Sequence, residues 1–62
     1  MKVFVVLINV DESTYLEKVF DSFEKAEHFV FQRGRFVPTH RERFYEDDKY
    51  GVLAEIREMK VE

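Results

Sequence analysis

The residues best suited to chemistry in this chain are four arginines that lie close together, with aromatic residues between and after them. They occupy residues 33–43 beside a single glutamate, while the segments on either side carry an excess of acids. A guanidinium group is planar and offers paired N–H donors, which match carboxylate and phosphate oxygens better than an ammonium group does. The segment therefore predicts a surface that contacts another molecule. The predicted contact residues are Phe31, Arg35, Phe36, Arg41, Arg43, Phe44 and Tyr45.

Two kinds of partner fit this surface. Cations interleaved with aromatics are typical of surfaces that bind single-stranded nucleic acid. The formal net charge of −3 disfavours that partner, because nonspecific nucleic-acid binders usually carry a strong positive excess. The acids at positions 42 and 46–48 and the C-terminal acids could instead pair with the arginines. Alternatively, the acids at positions 46–48, 55, 58 and 62 could imitate a phosphate backbone. A protein partner, either a host protein or a second copy of the chain, is the preferred hypothesis, and nucleic acid is the alternative.

The remaining polar residues do not form a recognisable catalytic or metal-binding pattern. His28 lies four residues after Glu24 on a predicted helix, but structural zinc sites nearly always use four ligands. His40 falls among the arginines and is interpreted as part of a cationic surface. Ser13 is typical of a turn and Ser22 of a helix cap, and the two glycines lie 17 positions apart, which excludes a glycine-rich phosphate loop. The sequence therefore predicts a non-enzymatic protein without metal or cofactor.

Length and composition indicate one small domain that relies on aromatic packing. A chain of 62 residues buries only about 60% of the surface that it exposes when unfolded. Seven Phe and three Tyr offset this limit, since each can bury roughly 150–250 Å². Cysteine is absent, which favours a reducing compartment. The apolar residues 1–10 are too few to span a bilayer and lack a signal-peptide cleavage site, so we expect a cytoplasmic protein with no membrane partner.

The first half of the chain predicts a β-hairpin followed by a helix. Residues 2–9 are apolar on both alternating faces, which is typical of a central strand covered on both sides, and residues 14–20 form the second strand. Residues 22–33 predict the helix, with Asp21 or Ser22 as its cap. Residues Phe23, Ala26 and Val30 form its buried stripe. Gly34 is expected to end the helix in a left-handed conformation.

The second half is less sharply determined by its sequence. Residues 35–39 read as extended, residues 41–45 as a short strand and residues 46–51 as a polar turn. Residues 52–61 fit either a strand or a short helix, and we favour the strand because a hairpin alone is a poor platform for a helix. The predicted class is α+β: a small antiparallel sheet of a β-hairpin and one or two C-terminal strands, with the helix packed on one face. The second face would be covered by residues 35–45, by a second copy or by another protein.

One resemblance extends over residues 1–31. The opening Met-Lys-Val-Phe-Val-Val, a short acidic turn, an aromatic-bearing strand and then Val-Phe-Asp-Ser-Phe-Glu-Lys-Ala-Glu-His-Phe resemble a loose group of small phage and prophage proteins. The resemblance implies a β-β-α-β organisation and no catalytic residues. The arginine-rich insertion before the last strand departs from the group's pattern. Together these observations predict an accessory protein that binds another protein, with a host factor as one candidate target. A structural homodimer is a further alternative.

Overall fold

The computed structural model describes residues 1–47 and 51–61, which form one helix and five strands. In chain order these are β1 (Lys2–Val10), β2 (Ser13–Phe20), α1 (Phe23–Arg33), β3 (Phe36–Pro38), β4 (Phe44–Asp47) and β5 (Leu53–Lys60). The strands make a single sheet in the order β2-β1-β5-β4-β3, and every pairing is antiparallel. The architecture is α+β, as predicted, although strands dominate. The expectation of one or two strands after the helix is wrong, because three follow it.

The apolar strand β1 lies inside the sheet, paired with β2 on one side and β5 on the other. Its side chains alternate between the two sides of the sheet, and residues on both sides are buried: Val6 and Ile8 fully, and Val5 with only 3% of its surface exposed. This agrees with the absence of polar alternation in residues 2–9. One irregularity in the pairing with β2, between Val6 and Leu7, marks a β-bulge.

The start of α1 follows from its local sequence. Ser22 has an extended backbone, and its side-chain oxygen accepts a hydrogen bond from the N–H of Lys25 at 3.2 Å. This satisfies one of the helix amides that lack an intrahelical partner. Asp21, the other predicted cap, instead forms an ion pair with Lys25 at 3.0 Å. Of the predicted stripe, Ala26 and Val30 are fully buried.

The helix ends differently from the prediction. Gly34 has φ −172° and ψ −161°, which is extended backbone, so the expected left-handed cap is wrong. The chain passes directly from α1 into β3, and a left-handed residue would turn it elsewhere. A Cβ atom at Gly34 would lie 3.4 Å from the ring of Phe36, an ordinary van der Waals contact, so neither backbone nor space requires glycine at this position.

The buried cluster contains helix residues and sheet residues, and its sheet residues share one side of the sheet, which we call the core side. Val6 lies opposite Ile56, and Ala54 lies opposite both Ile8 and Tyr45. Directly opposite residues point to the same side of a sheet. The buried cluster consists of Ala26 and Val30 with Val6, Ile8, Phe36, Tyr45, Ala54 and Ile56.

The segment after the helix widens the sheet. β4 pairs with β5, and β3 pairs with β4, so the proposal that residues 35–45 fold across the second face is wrong. The predicted strand at residues 41–45 begins only at Phe44, whereas the strand favoured for residues 52–61 is confirmed as β5. Part of the predicted polar turn, residues 48–50, lies outside the described residues. In the described part of the chain, no helix is long and apolar enough to cross a bilayer.

Candidate protein-binding surface

Residues 39–43 connect β3 to β4 in a compact turn that we call the arginine loop. The hydroxyl of Thr39 organises it, since it lies 3.0 Å from the carbonyl oxygen of Phe44 and accepts a hydrogen bond from the N–H of Arg41 at 3.1 Å. Two backbone bonds close the turn, from Thr39 to Phe44 at 3.1 Å and from Phe44 to Arg41 at 3.2 Å. These bonds place the arginines at the end of the β3–β4 pair. His40 lies in this loop and is exposed.

Arg41 is exposed and rests on an aromatic ring. Its guanidinium carbon lies 4.1 Å from the centre of the Phe44 ring, within the range of a cation–π contact. Within residues 1–47 and 51–61, no carboxylate lies at ion-pair distance from Arg41. The stacked guanidinium is thus held in place while its N–H edges stay available to a partner.

Arg43 is more closely tied to the fold. Its guanidinium carbon lies 5.2 Å from the ring centre of Phe23 and 6.0 Å from that of Phe4. One guanidinium nitrogen is 3.7 Å from a carboxylate oxygen of Glu58, and the backbone carbonyl accepts a hydrogen bond from the N–H of Ile56. The backbone of Arg43 has φ +66°, a value unusual for a residue with a side chain. Its charge is therefore partly neutralised, and its position is fixed from several directions.

Tyr45 connects this region to the helix. Its hydroxyl donates a hydrogen bond to a carboxylate oxygen of Glu27 at 2.8 Å, and its ring meets that of Phe31 edge-on at 5.5 Å. Burial raises the pKa of the Tyr45 hydroxyl well above its usual value, and the hydrogen bond to Glu27 and that residue's charge raise it further. The hydroxyl consequently stays protonated as a donor.

The predicted contact residues divide into two groups. The rings of Phe36 and Tyr45 lie in the core, and 6% and 3% of their surfaces are exposed. Phe31, Arg35 and Arg41 are exposed, while Arg43 and Phe44 are half-buried. Arg43 pairs with Glu58 at 3.7 Å, one of the C-terminal acids foreseen as partners, whereas Arg33 pairs with Glu17 at 3.4 Å, which was not foreseen.

A cleft of about 270 Å³ separates the arginine loop from α1. Phe23 and Glu27 of the helix form one wall, and Arg41, Arg43 and Tyr45 contribute to the opposite one. The cleft thus combines apolar rings with two cations, two carboxylates (Glu27 and Glu42) and the hydroxyl groups of Thr39 and Tyr45. Such a lining can hold a charged side chain of a partner against an aromatic wall.

The side of the sheet opposite the core side, which we call the outer side, carries residues that the sequence did not single out. The register places Leu16 opposite Leu7 and Leu53 opposite Asn9, with the outward alternation continued by Met59. The alternation of β1 indicated that this side needs cover, but the contributions of β2 and β5 depend on a register that sequence alone does not provide.

In the described ranges, no three His, Cys, Asp or Glu side chains are placed to hold a metal ion. Glu24 and His28 are both exposed on α1, and Ser22 serves as the helix cap. The chain matches no family model, no curated protein and no solved structure. Its function must therefore be inferred from its own surfaces.

Proposed function

We propose that this chain is a non-enzymatic protein-binding module that acts in the cytoplasm and binds an acidic surface of another protein through the arginine loop. The observation that carries the proposal is the guanidinium of Arg41, held over the ring of Phe44 without an acidic partner in the described residues. Arg43 lines the neighbouring cleft, and the exposed Phe31 and Arg35 are the further contact residues of the proposal.

The physical argument rests on preorganisation. A free arginine side chain loses rotamer freedom when it binds, whereas a stacked guanidinium has already lost part of it. Its N–H groups can then form paired, charge-assisted bonds to a carboxylate. Arginine and aromatic residues are enriched at the centre of protein interfaces for these reasons. The neighbouring cleft supplies a concave apolar wall for the same partner.

The proposed mechanism is occlusion: the module covers a surface of its partner and performs no chemistry. The resemblance of residues 1–31 to small phage and prophage proteins supports an accessory role of this kind, with a host factor as the target. We take α1 to cover the core side of the sheet, with the arginine loop facing Phe23 and Glu27 of this helix across the cleft.

The test is capture of a partner from nuclease-treated bacterial lysate, compared between the tagged wild type and Arg41→Glu. We expect one dominant protein in stoichiometric amount, lost with Arg41→Glu and retained with the control Lys60→Glu, which reverses an exposed charge on β5. Arg43→Glu is a poorer probe because it would place a second carboxylate beside that of Glu58.

Equal capture by the wild type and Arg41→Glu would overturn the assignment of the arginine loop. Nucleic acid is tested on a short oligonucleotide in the same variants. Binding that falls steeply with added salt and is lost in Arg41→Glu would replace the protein partner with a phosphate backbone.

A further inference from the structure

The outer side of the sheet exposes a contiguous group of apolar side chains. Leu16, Val19, Leu53 and Met59 are between 39% and 56% exposed, and all four alternate away from the core side in the register of β2, β1 and β5. A shallow depression of about 70 Å³ opens among Leu7 and its neighbours on this side. Contiguous apolar patches on small soluble domains usually mark a contact surface.

One ion pair lies in the middle of this apolar group. The guanidinium of Arg57 donates to both carboxylate oxygens of Glu55, at 3.1 and 3.2 Å. Both side chains belong to β5, which is the central strand of the sheet. More than half of the Arg57 side chain is exposed, whereas Glu55 is mostly covered. A molecule that binds the outer side must therefore present apolar residues around one basic group for Glu55 and one acidic group for Arg57.

The sheet register makes this surface complementary to itself. Val6 and Ile56 lie directly opposite each other on the core side, and Glu55 and Arg57 flank Ile56 on the outer side. Suppose that two copies face each other with their outer sides and are related by a twofold axis midway between the two sheets. The axis runs perpendicular to the strands, over the row of positions that contains Val6 and Ile56. It brings the residue just before this row in one copy opposite the residue just after it in the other. Glu55 of each copy then faces Arg57 of the other, twice.

The same axis brings apolar residues together. Leu16 and Val19 lie one row on either side of it on β2, so Leu16 of one copy faces Val19 of the other. Leu53 and Met59 each lie three positions from Ile56 and are exchanged in the same way. Apolar residues thus meet apolar residues while acid meets base, and this symmetry is what an isologous dimer requires.

The area of the three long strands indicates how strong this interface can be. Three strands of eight or nine residues, at about 3.4 Å per residue and about 4.8 Å between strands, span roughly 400 Å². β3 and β4 pair only on one side of the row that contains Ile56, so the axis carries them away from the partner sheet and they add no area. Two copies would bury about 800 Å², which is the size of a weak interface that forms only at high protein concentration.

We propose that two copies of this chain form a face-to-face dimer through their outer sides, with reciprocal Glu55–Arg57 pairs at its centre. The dimer goes beyond the proposed function, since it does not depend on the arginine loop. Two sheets packed in this way would lie about 10 Å apart with their strands nearly aligned. Val5 and Leu7 would then lie in the middle of a sandwich, which accounts for the apolar character of β1 on both sides.

The test uses charge reversal, with molecular mass followed by light scattering from low micromolar to millimolar concentration. We expect the wild type to dimerise. Arg57→Glu places four acids at the centre and Glu55→Arg four bases, so each should raise the dimer Kd roughly 100-fold or more. Mixing the two variants restores opposite charges and should yield a heterodimer. The double variant with both changes should dimerise like the wild type.

Folding is controlled by cooperative unfolding of each variant in circular dichroism. If a charge reversal unfolds the chain, Leu16→Lys at the exposed edge provides a second probe, since it places a cation against Val19 of the other copy. A wild type that is monomeric at every concentration overturns the dimer while leaving the test of Arg41 on the arginine loop untouched. A dimer that survives both Arg57→Glu and Leu16→Lys uses another surface and also overturns the proposal.

Discussion

Replacing Tyr45 with Phe removes one hydroxyl and keeps the ring that the core needs. The ring is buried with 3% of its surface exposed, and the hydroxyl donates to Glu27 at 2.8 Å. A hydrogen bond to a charged group contributes about 1.5–3 kcal/mol. Glu27 is only half-buried, so water can replace part of the lost bond, and we expect the lower value. A loss of about 1.5 kcal/mol corresponds to a fall in Tm of roughly 6–12 °C for a domain of this size.

The alkaline limb of the stability curve provides a second readout. The pKa of Tyr45 is raised in the folded state by burial and by Glu27, from an ordinary value of 10.0. The stabilisation from this hydroxyl is therefore fully present below pH 10 and is lost as the pH rises above it. We expect the wild type to lose stability above pH 10 more steeply than Tyr45→Phe, so the two curves should converge.

The assay is thermal unfolding by circular dichroism across this pH range, with Tyr15→Phe as the matched control. Tyr15 is exposed, and its hydroxyl accepts a hydrogen bond from Arg33 at 3.2 Å, so its loss should change stability by no more than about 0.5 kcal/mol. A Tyr45→Phe variant that keeps the wild-type Tm and the wild-type alkaline limb would refute the role assigned to the bond with Glu27.

Three further substitutions test the fold. Ala26→Asp places an unpaired carboxylate in the core, at a cost of about 3–5 kcal/mol, and should abolish cooperative urea unfolding. The control His28→Asp, on the exposed side of α1, should still unfold cooperatively. A wild-type-like transition for Ala26→Asp would show that the helix face is misassigned. Ser22→Ala removes the helix cap and should lower the free energy of unfolding by about 1 kcal/mol, measured from the urea midpoint. Gly51 has φ +71°, so Gly51→Ala should lower the free energy of unfolding by about 1–2 kcal/mol in the same assay. An unchanged urea midpoint would count against the positive φ at Gly51.

The first half of the fold could be predicted because its signals are local. An uninterrupted apolar run marks β1, a serine can cap only the helix that starts beside it, and the spacing of Ala26 and Val30 defines a helix face without reference to distant residues. The same reasoning failed at Gly34. Its conformation depends on where the following strand must go, and a local rule for helix ends does not include that information.

The second half depends on pairing between segments. β3 has three residues and includes Pro38, so it has little strand character of its own and exists because it pairs with β4. The candidate site shows the same division. The clustering of the arginines is visible in the sequence, but the burial of Phe36 and Tyr45 follows from their place on the core side of the sheet.

The order of residues is enough to predict the apolar strand, the capped helix and the concentration of arginines between acidic segments, since each depends on neighbours in the chain. Which side chains share a surface depends on the folded sheet. A strand's register is set by hydrogen bonds to a distant segment, and a shift of one residue would exchange its two sides. The folded structure was therefore needed to see the stacking of Arg41 on Phe44. It was also needed to see the apolar outer side around Glu55 and Arg57.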